Sequence, residues 1–433
     1  MEQGVSAVKS NIWKLSVIQS LKWFMIAMPI IVLFYMDNGL SMSQILILQA
    51  IFSIVIVVTE VPSGYFSDIV GRKHSIVLGV ICGFLGYLVY SFSFGFVGFL
   101  IAEIILGFGA SFISGADSAM LYDSLLDMGK ETDYKRLEGR LTAIGGWSEG
   151  LAAILGGFTA VVSLRFPVYL ETAIIFLAIP FAFSLVEPKR KSFTPTPESL
   201  GFLPNGWFSW SERRPPKGRR SFPGVPESVM DNAEGNWRAI VRIVKFSLHE
   251  QLEIKWLIIY GALLGSSTLL MTWFIQPILK QAGLPLVLFG AVWAVFNLFL
   301  GFFSYSAHWV EKFFGRKRSL VLMILLNTIG YLALAFFGKY LWAVVFILIF
   351  YFVRGINIPI IKDYLNRLVA SDIRATVLSV RALAARLIFA VLGPFIGWIN
   401  DLYSLSVALS LAGFLFAFFG TISLLFLRKH KAL

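Results

Sequence analysis

The chain has 433 residues, of which 57% are hydrophobic and 14% charged, against about 25% charged in a soluble domain. Its mean hydropathy of +0.77 excludes an ordinary soluble enzyme, and the net charge of +12 sits in short loops, not on one basic domain, which excludes a nucleic-acid binder. A single cysteine, Cys82, excludes a disulfide framework, and four scattered histidines show no ligand spacing, so neither a metal nor a cofactor is expected.

A spanning helix needs roughly 20 mostly apolar residues. The apolar runs predict six such helices at 16–36, 44–66, 75–95, 97–125, 139–162 and 167–186. Six more follow at 254–278, 286–309, 319–338, 341–368, 374–398 and 404–427. The first run has no small-residue cleavage site after it, so it is expected to stay as a helix. Arg72 and Lys73, then Lys130, Lys135, Arg136 and Arg140, fall in alternate loops of the first set. Lys312, Arg316, Lys317, Arg318, Arg367, Arg374, Arg428, Lys429 and Lys431 continue the same side. The other loops hold only Arg165, Lys280 and Lys339. By the positive-inside rule the rich side is cytoplasmic, and both termini lie there.

Residues 188–237 are rich in Pro, Gly, Ser and Arg and lack periodicity, so they read as a flexible cytoplasmic tether, with partner docking as the rival reading. Residues 238–250 alternate cations with apolar residues at helical spacing, which suits a helix lying on an anionic leaflet. The expected organisation is an N-terminal six-helix bundle at 1–187, a linker at 188–250 and a C-terminal six-helix bundle at 251–433.

The halves repeat. Gly71-Arg72-Lys73 returns as Gly315-Arg316-Lys317, and Gly86-Tyr87-Leu88 as Gly330-Tyr331-Leu332, in one ungapped register 244 residues on. With six helices each, both halves enter and leave on the same side. They are parallel repeats related by an axis along the membrane normal.

Between the second and third helices the chain reads Gly64, Asp68, Gly71, Arg72, Lys73. This is similar to the G-x-x-x-D-x-x-G-R-K signature of the major facilitator superfamily, and with twelve helices the chain resembles that family over its length outside the linker. The resemblance implies an all-α membrane protein of twelve transmembrane helices in two pseudo-symmetric bundles, moving substrate by alternating access. It also implies a latch: Asp68 at the start of the eleventh helix when the inner gate is shut, favoured by the helix macrodipole, with Arg72 paired to Asp123. Gly64 is expected to let the second helix approach a neighbour, and Gly71 to take a positive φ. In the second copy Lys312 replaces Asp68 and His308 replaces Gly64, so that latch is not expected twice.

Charges inside a bilayer are costly and therefore functional candidates. Glu103, Asp117 and Glu149 are the candidate proton-coupling acids, the first two 14 residues apart and expected on one helix face. Arg354 and Arg386 are candidate substrate ligands, and a shift of 237 residues sets Glu149 against Arg386, which suggests acids in one half and cations in the other. Arg381, Lys22 and Glu171 are further intramembrane charges; Glu60 and Glu171 lie near helix ends and read as interfacial. Trp293, Asn297, Asn357 and Gln276, with Trp273, complete a cavity suited to an amphipathic ligand.

The resemblance is partial toward drug:proton antiporters of the superfamily. Glu103 stands four residues before Gly107-x-Gly109, where their arginine would be, and only Gly156 and Gly157 remain of their fifth-helix glycine motif, with Ala152 and Ala153 in its Gly-Pro place. Gly393-Pro394 does occur in the eleventh helix. The expected function is proton-coupled efflux of a small amphipathic molecule. Import or facilitation of a small organic anion is the alternative, and a non-transporting sensor or scaffold is the rival of another class. No P-loop and no nucleophile–base set occurs, so no enzyme is expected. A monomer in a bacterial inner membrane, with a small-molecule substrate, protons and lipid as partners and no nucleic acid, completes the expectation.

Overall fold

The computed structural model describes residues 2–188, 251–369 and 371–429. The tether and the amphipathic stretch read at 188–250 lie, apart from Pro188, outside the described residues. Every regular element among them is helical. In chain order these are α1 (Glu2–Lys22), α2 (Ile31–Asp37), α3 (Met42–Ile69), α4 (Arg72–Phe92), α5 (Gly95–Ile113), α6 (Ala116–Asp127), α7 (Tyr134–Ala160) and α8 (Phe166–Phe183). After the linker come α9 (Leu252–Gln281), α10 (Val287–Phe314), α11 (Arg316–Phe337), α12 (Ile347–Leu368), α13 (Ser371–Leu402) and α14 (Leu405–Lys429).

They make twelve spans: α1 with α2 is the first, α5 with α6 the fourth, and a 3-10 turn over Leu341–Phe346 leads α12 into the tenth. Ten spans among the described residues are long and apolar enough to cross a membrane on composition alone. The first falls short because it is broken. α7, the fifth, carries Lys135, Arg136, Glu138, Arg140 and Glu149.

Two continuous helices expected from the sequence are interrupted. The first span unwinds over 23–30. Pro29 lies in that stretch, has no N–H, and crowds the preceding turn. α7 presses on the opened backbone, since a Cβ on Gly156 would fall on the Ile26 carbonyl. The fourth span breaks at Ser114–Gly115, where Gly115 takes φ +76. That break sends Glu103 and Asp117 into different surroundings, so the shared face expected from helical spacing does not form.

Packing inside one half recurs in the other, six spans along. The second span packs on the fourth as the eighth packs on the tenth. The third packs on the sixth as the ninth packs on the twelfth, and the first meets the fourth, fifth and sixth as the seventh meets the tenth, eleventh and twelfth. The two most extensive contacts between the halves are α3 with α13 and α7 with α10, which the repeat exchanges, and α2 also meets α9. Within a bilayer such contacts depend on close fit more than on apolar burial. Small residues supply it here: a Cβ on Gly290 would strike the Ala153 carbonyl, and one on Gly397 would meet Ser43 Cα at 2.8 Å.

Candidate transport site

At the end opposite the basic loops, the halves are clasped through backbone that helix breaks leave free. Gln276 of α9 is 1% exposed. Its Oε1 accepts from the backbone N–H of Val32 at 2.7 Å and of Leu33 at 3.4 Å, and its Nε2 donates to the Met28 carbonyl at 2.9 Å. It thus caps α2 from the other half. Within its own half, Glu171 of α8 accepts from the Ala27 N–H at 2.8 Å and from the Tyr87 hydroxyl. Glu171 is buried, so its reading as interfacial is corrected. The amide of Gln276, expected to face substrate, is spent on the first span. Nearby, Asp401 of α13 accepts from the Met42 N–H at 3.0 Å and the Ser43 N–H at 2.8 Å, at the N-terminus of α3.

Deeper in the N-terminal half, Glu103 is 4% exposed. It accepts from Tyr35 at 2.9 Å, Tyr90 at 2.6 Å and from Gln49, with the two phenols bonded to each other. No cation joins this network among the described residues. Asp117 opens α6 and pairs with Lys22 at the end of α1 at 3.2 Å, a partly exposed pair.

Glu149 reaches between the halves. It accepts from Trp293 Nε1 at 3.3 Å and Asn297 Nδ2 at 3.1 Å, both on α10. Tyr351 lies within electrostatic reach of both Glu149 and Arg354. Arg354 lines a small cleft with Thr268, Thr272, Phe350 and Tyr351. Arg386 has Glu60 of α3, not Glu149, within electrostatic reach, and α3 packs on α13. Asn357 donates to the Gly261 carbonyl at 3.2 Å and is buried away from the Glu149 cluster's hydrogen bonds. The structure therefore gathers Glu149, Trp293 and Asn297 beside Arg354. It leaves Glu103, Asp117, Gln276 and Asn357 at separate places.

At the basic end, Gly71 takes φ +137, and a Cβ there would crowd His74 and Glu187. The guanidinium of Arg72 contacts Asp68, Ser67 Oγ at 3.2 Å and Asp123 at 3.5 Å. Gly64 has nothing within 4 Å of a built Cβ, so the close approach expected there is not made. Sequence reading missed Glu187, which accepts from the Arg72 N–H at 2.9 Å and the Lys73 N–H at 2.8 Å and so caps α4 from the end of the sixth span. An acid just before the Lys/Arg run of the linker was its only signal. In the second copy Gly315 also takes positive φ, but Arg316 lies over the Tyr364 ring at 4.2 Å, and Asp363 pairs with Arg367 at 2.8 Å.

No curated protein sequence matches the chain. The structure is similar to that of the nucleoside transporter NupG, with 12% identity and a TM-score of 0.72 over 98% of this chain and 99% of that one. It is similar to a bacterial homolog of the human lysosomal transporter Spinster in an inward-facing, unoccupied conformation (14% identity, TM-score 0.69, 98% and 97% covered). It is also similar to a POT family transporter in complex with 5-aminolevulinic acid (15%, 0.65, 97% and 96%). At such identities the likeness is one of fold. The sequence model of the Major Facilitator Superfamily matches residues 15–391. The chain belongs to the Major Facilitator Superfamily and is a membrane transporter of that type.

Proposed function

We propose that this transporter works by alternating access and couples proton movement to the efflux of a small amphipathic molecule. The bundles at 1–187 and 251–433 rock about the region of Glu149 and Arg354, with the basic end in the cytoplasm of a bacterial cell. The observation that carries the reading is the placement of Glu149. Its carboxylate accepts hydrogen bonds from Trp293 and Asn297 of the opposite half. An ionised acceptor holds those donors more strongly than a neutral one. A proton on Glu149 therefore favours separation of α7 from α10, and a ligand shifts a two-state balance only through such a difference between states. Trp293, Phe350 and Tyr351 offer an aromatic wall for the apolar part of the cargo.

Everted vesicles with an imposed pH gradient test the coupling, using ethidium and carboxyfluorescein as amphipathic probes of opposite charge. Uphill movement of one probe should collapse when the gradient is dissipated. Glu149→Gln should lower uphill flux by ~10-fold or more while downhill exchange survives. Flux indifferent to the gradient, or unchanged in Glu149→Gln, removes the coupling. Import of a small organic anion is the second reading, favoured by the three guanidiniums of Arg354, Arg381 and Arg386. The direction of probe accumulation separates the two.

A further inference from the structure

We infer that α9, α12 and α13 build an anion-binding site centred on Arg381, and that the cargo carries a carboxylate- or phosphate-type group which this guanidinium holds. The word cargo rests on the transport reading above; the site rests on the side chains.

Arg381 projects from α13 against α9, its Cδ 3.4 Å from the position of a Cβ on Gly261. A larger residue at 261 would take the room used by the arginine stem and by Ile361, which would lie 2.8 Å from the same point. The Gly261 carbonyl is taken by Asn357 Nδ2 at 3.2 Å. Two polar atoms beside Gly261 are left over: Asn357 Oδ1 and Arg381 Nε are both buried without a partner. Asn357 is itself 1% exposed. One acceptor and one donor thus stand unspent beside a single glycine, and buried polar groups are mostly paired in folded proteins.

Charge singles out Arg381 among its neighbours. Arg386 has Glu60 within electrostatic reach, and Arg354 shares the surroundings of Tyr351 with Glu149. Arg381 is partly buried and makes no ion pair among the described residues. An unpaired cation in a low-dielectric interior is costly, and cations there are kept where an anion visits them. A guanidinium suits a planar or tetrahedral oxyanion through paired N–H donors. Asn357 Oδ1 can accept a hydroxyl from the same ligand, as a hydroxy acid or a protonated phosphate would offer.

Thermal unfolding of the purified full chain tests this without any proton gradient, with octanoate as the anionic probe and octyltrimethylammonium as its cationic counterpart. Without ligand, Arg381→Gln should melt ~2 °C or more above wild type, because an uncompensated charge is gone. Octanoate should raise the wild-type melting temperature saturably, Arg381→Gln should lose at least ~10-fold in apparent affinity, and Arg381→Lys should keep part of it. The cation should give no saturable shift. The inference is overturned if Arg381→Gln melts below wild type, if it binds octanoate as tightly, or if both probes stabilise alike. Should Arg381→Gln not be obtained as purified protein, Arg381→Lys decides by the same titration: unchanged affinity overturns the site. A lipid headgroup has the same chemistry, so the titration is repeated in nanodiscs with and without phosphatidylglycerol. Equal octanoate affinity in both supports a solute. Competition that Arg381→Lys relieves assigns the site to lipid and overturns the statement about cargo. Gradient-indifferent flux with intact octanoate binding would sink the coupling through Glu149 and leave this site standing.

Discussion

In the N-terminal half, Lys22 is paired with Asp117, Glu103 is ringed by Tyr35, Tyr90 and Gln49, and Glu171 holds the Ala27 N–H. Arg165 there donates to the Ser91 and Ser93 carbonyls, each at 2.9 Å, and to Asn38. In the C-terminal half, Arg354, Arg381 and Arg386 make no hydrogen bond or ion pair among the described residues. The two halves share one packing plan, so the difference lies in what their polar groups are for. One half spends them on holding an interrupted first span inside the bilayer. The other leaves these three arginines without a hydrogen bond of their own, with Glu60 of the opposite half within electrostatic reach of Arg386.

The N-terminal half depends most on its own network around Glu103. Glu103→Ala would leave two buried phenols and a buried amide without their shared acceptor, at a cost of about 3 kcal/mol. Thermal unfolding in detergent should show a large drop, whereas Glu103→Gln should keep most of the stability because the amide oxygen still accepts. A loss no larger than that of an exposed substitution such as Trp147→Ala would mean that the network is not what holds this half.

A smaller effect is expected at Gln276, where the clasp joins the halves instead of holding one of them. Gln276→Ala removes three hydrogen bonds to the first span but leaves both bundles intact. About 1–2 kcal/mol of preference for the state sealed at this end should go, a shift of roughly 5- to 30-fold in the population of the opened state. A cysteine at Leu279, 1% exposed in this state, in a Cys82→Ser background, reads the shift as faster thiol labelling. Unchanged labelling would leave Gln276 a helix cap with no part in the seal.

Those two networks were differently legible in the sequence. Span positions, the Gly-Arg-Lys turns and the repeat are local signals, carried by runs of apolar residues and by glycines at turns, and they could be read directly. The opened stretch around Pro29 could not, because hydropathy runs unbroken across it and does not register a missing N–H. Gly115 likewise looked like one more small residue in a helix, so the placement of Glu103 and Asp117 on one face failed. The caps were hidden for a further reason. Glu187 serves residues 115 positions away and Asp401 one 359 positions away, and no periodicity connects them. Glu149 was legible as a charge in an apolar run, but its partners on α10 were not.

The smallest expected effect belongs to Asp401. Its carboxylate sits at the N-terminus of α3, where a negative charge is favoured by the helix dipole. Ser41 and Gln44 already form a capping box there, with Ser41 N–H donating to Gln44 Oε1 at 3.0 Å. Asp401→Asn keeps one accepting oxygen and loses the charge, so about 0.5–1 kcal/mol should be lost. Labelling at Leu279→Cys should rise only a few-fold. The informative measurement is the pair Asp401→Asn with Gln276→Ala. The two side chains touch different spans and share no partner, so independent contacts should add within about 0.5 kcal/mol. Coupling beyond that would mean that the two bundles part at this end as one rigid seal, and that the Gln276 clasp cannot open while Asp401 still holds the start of α3.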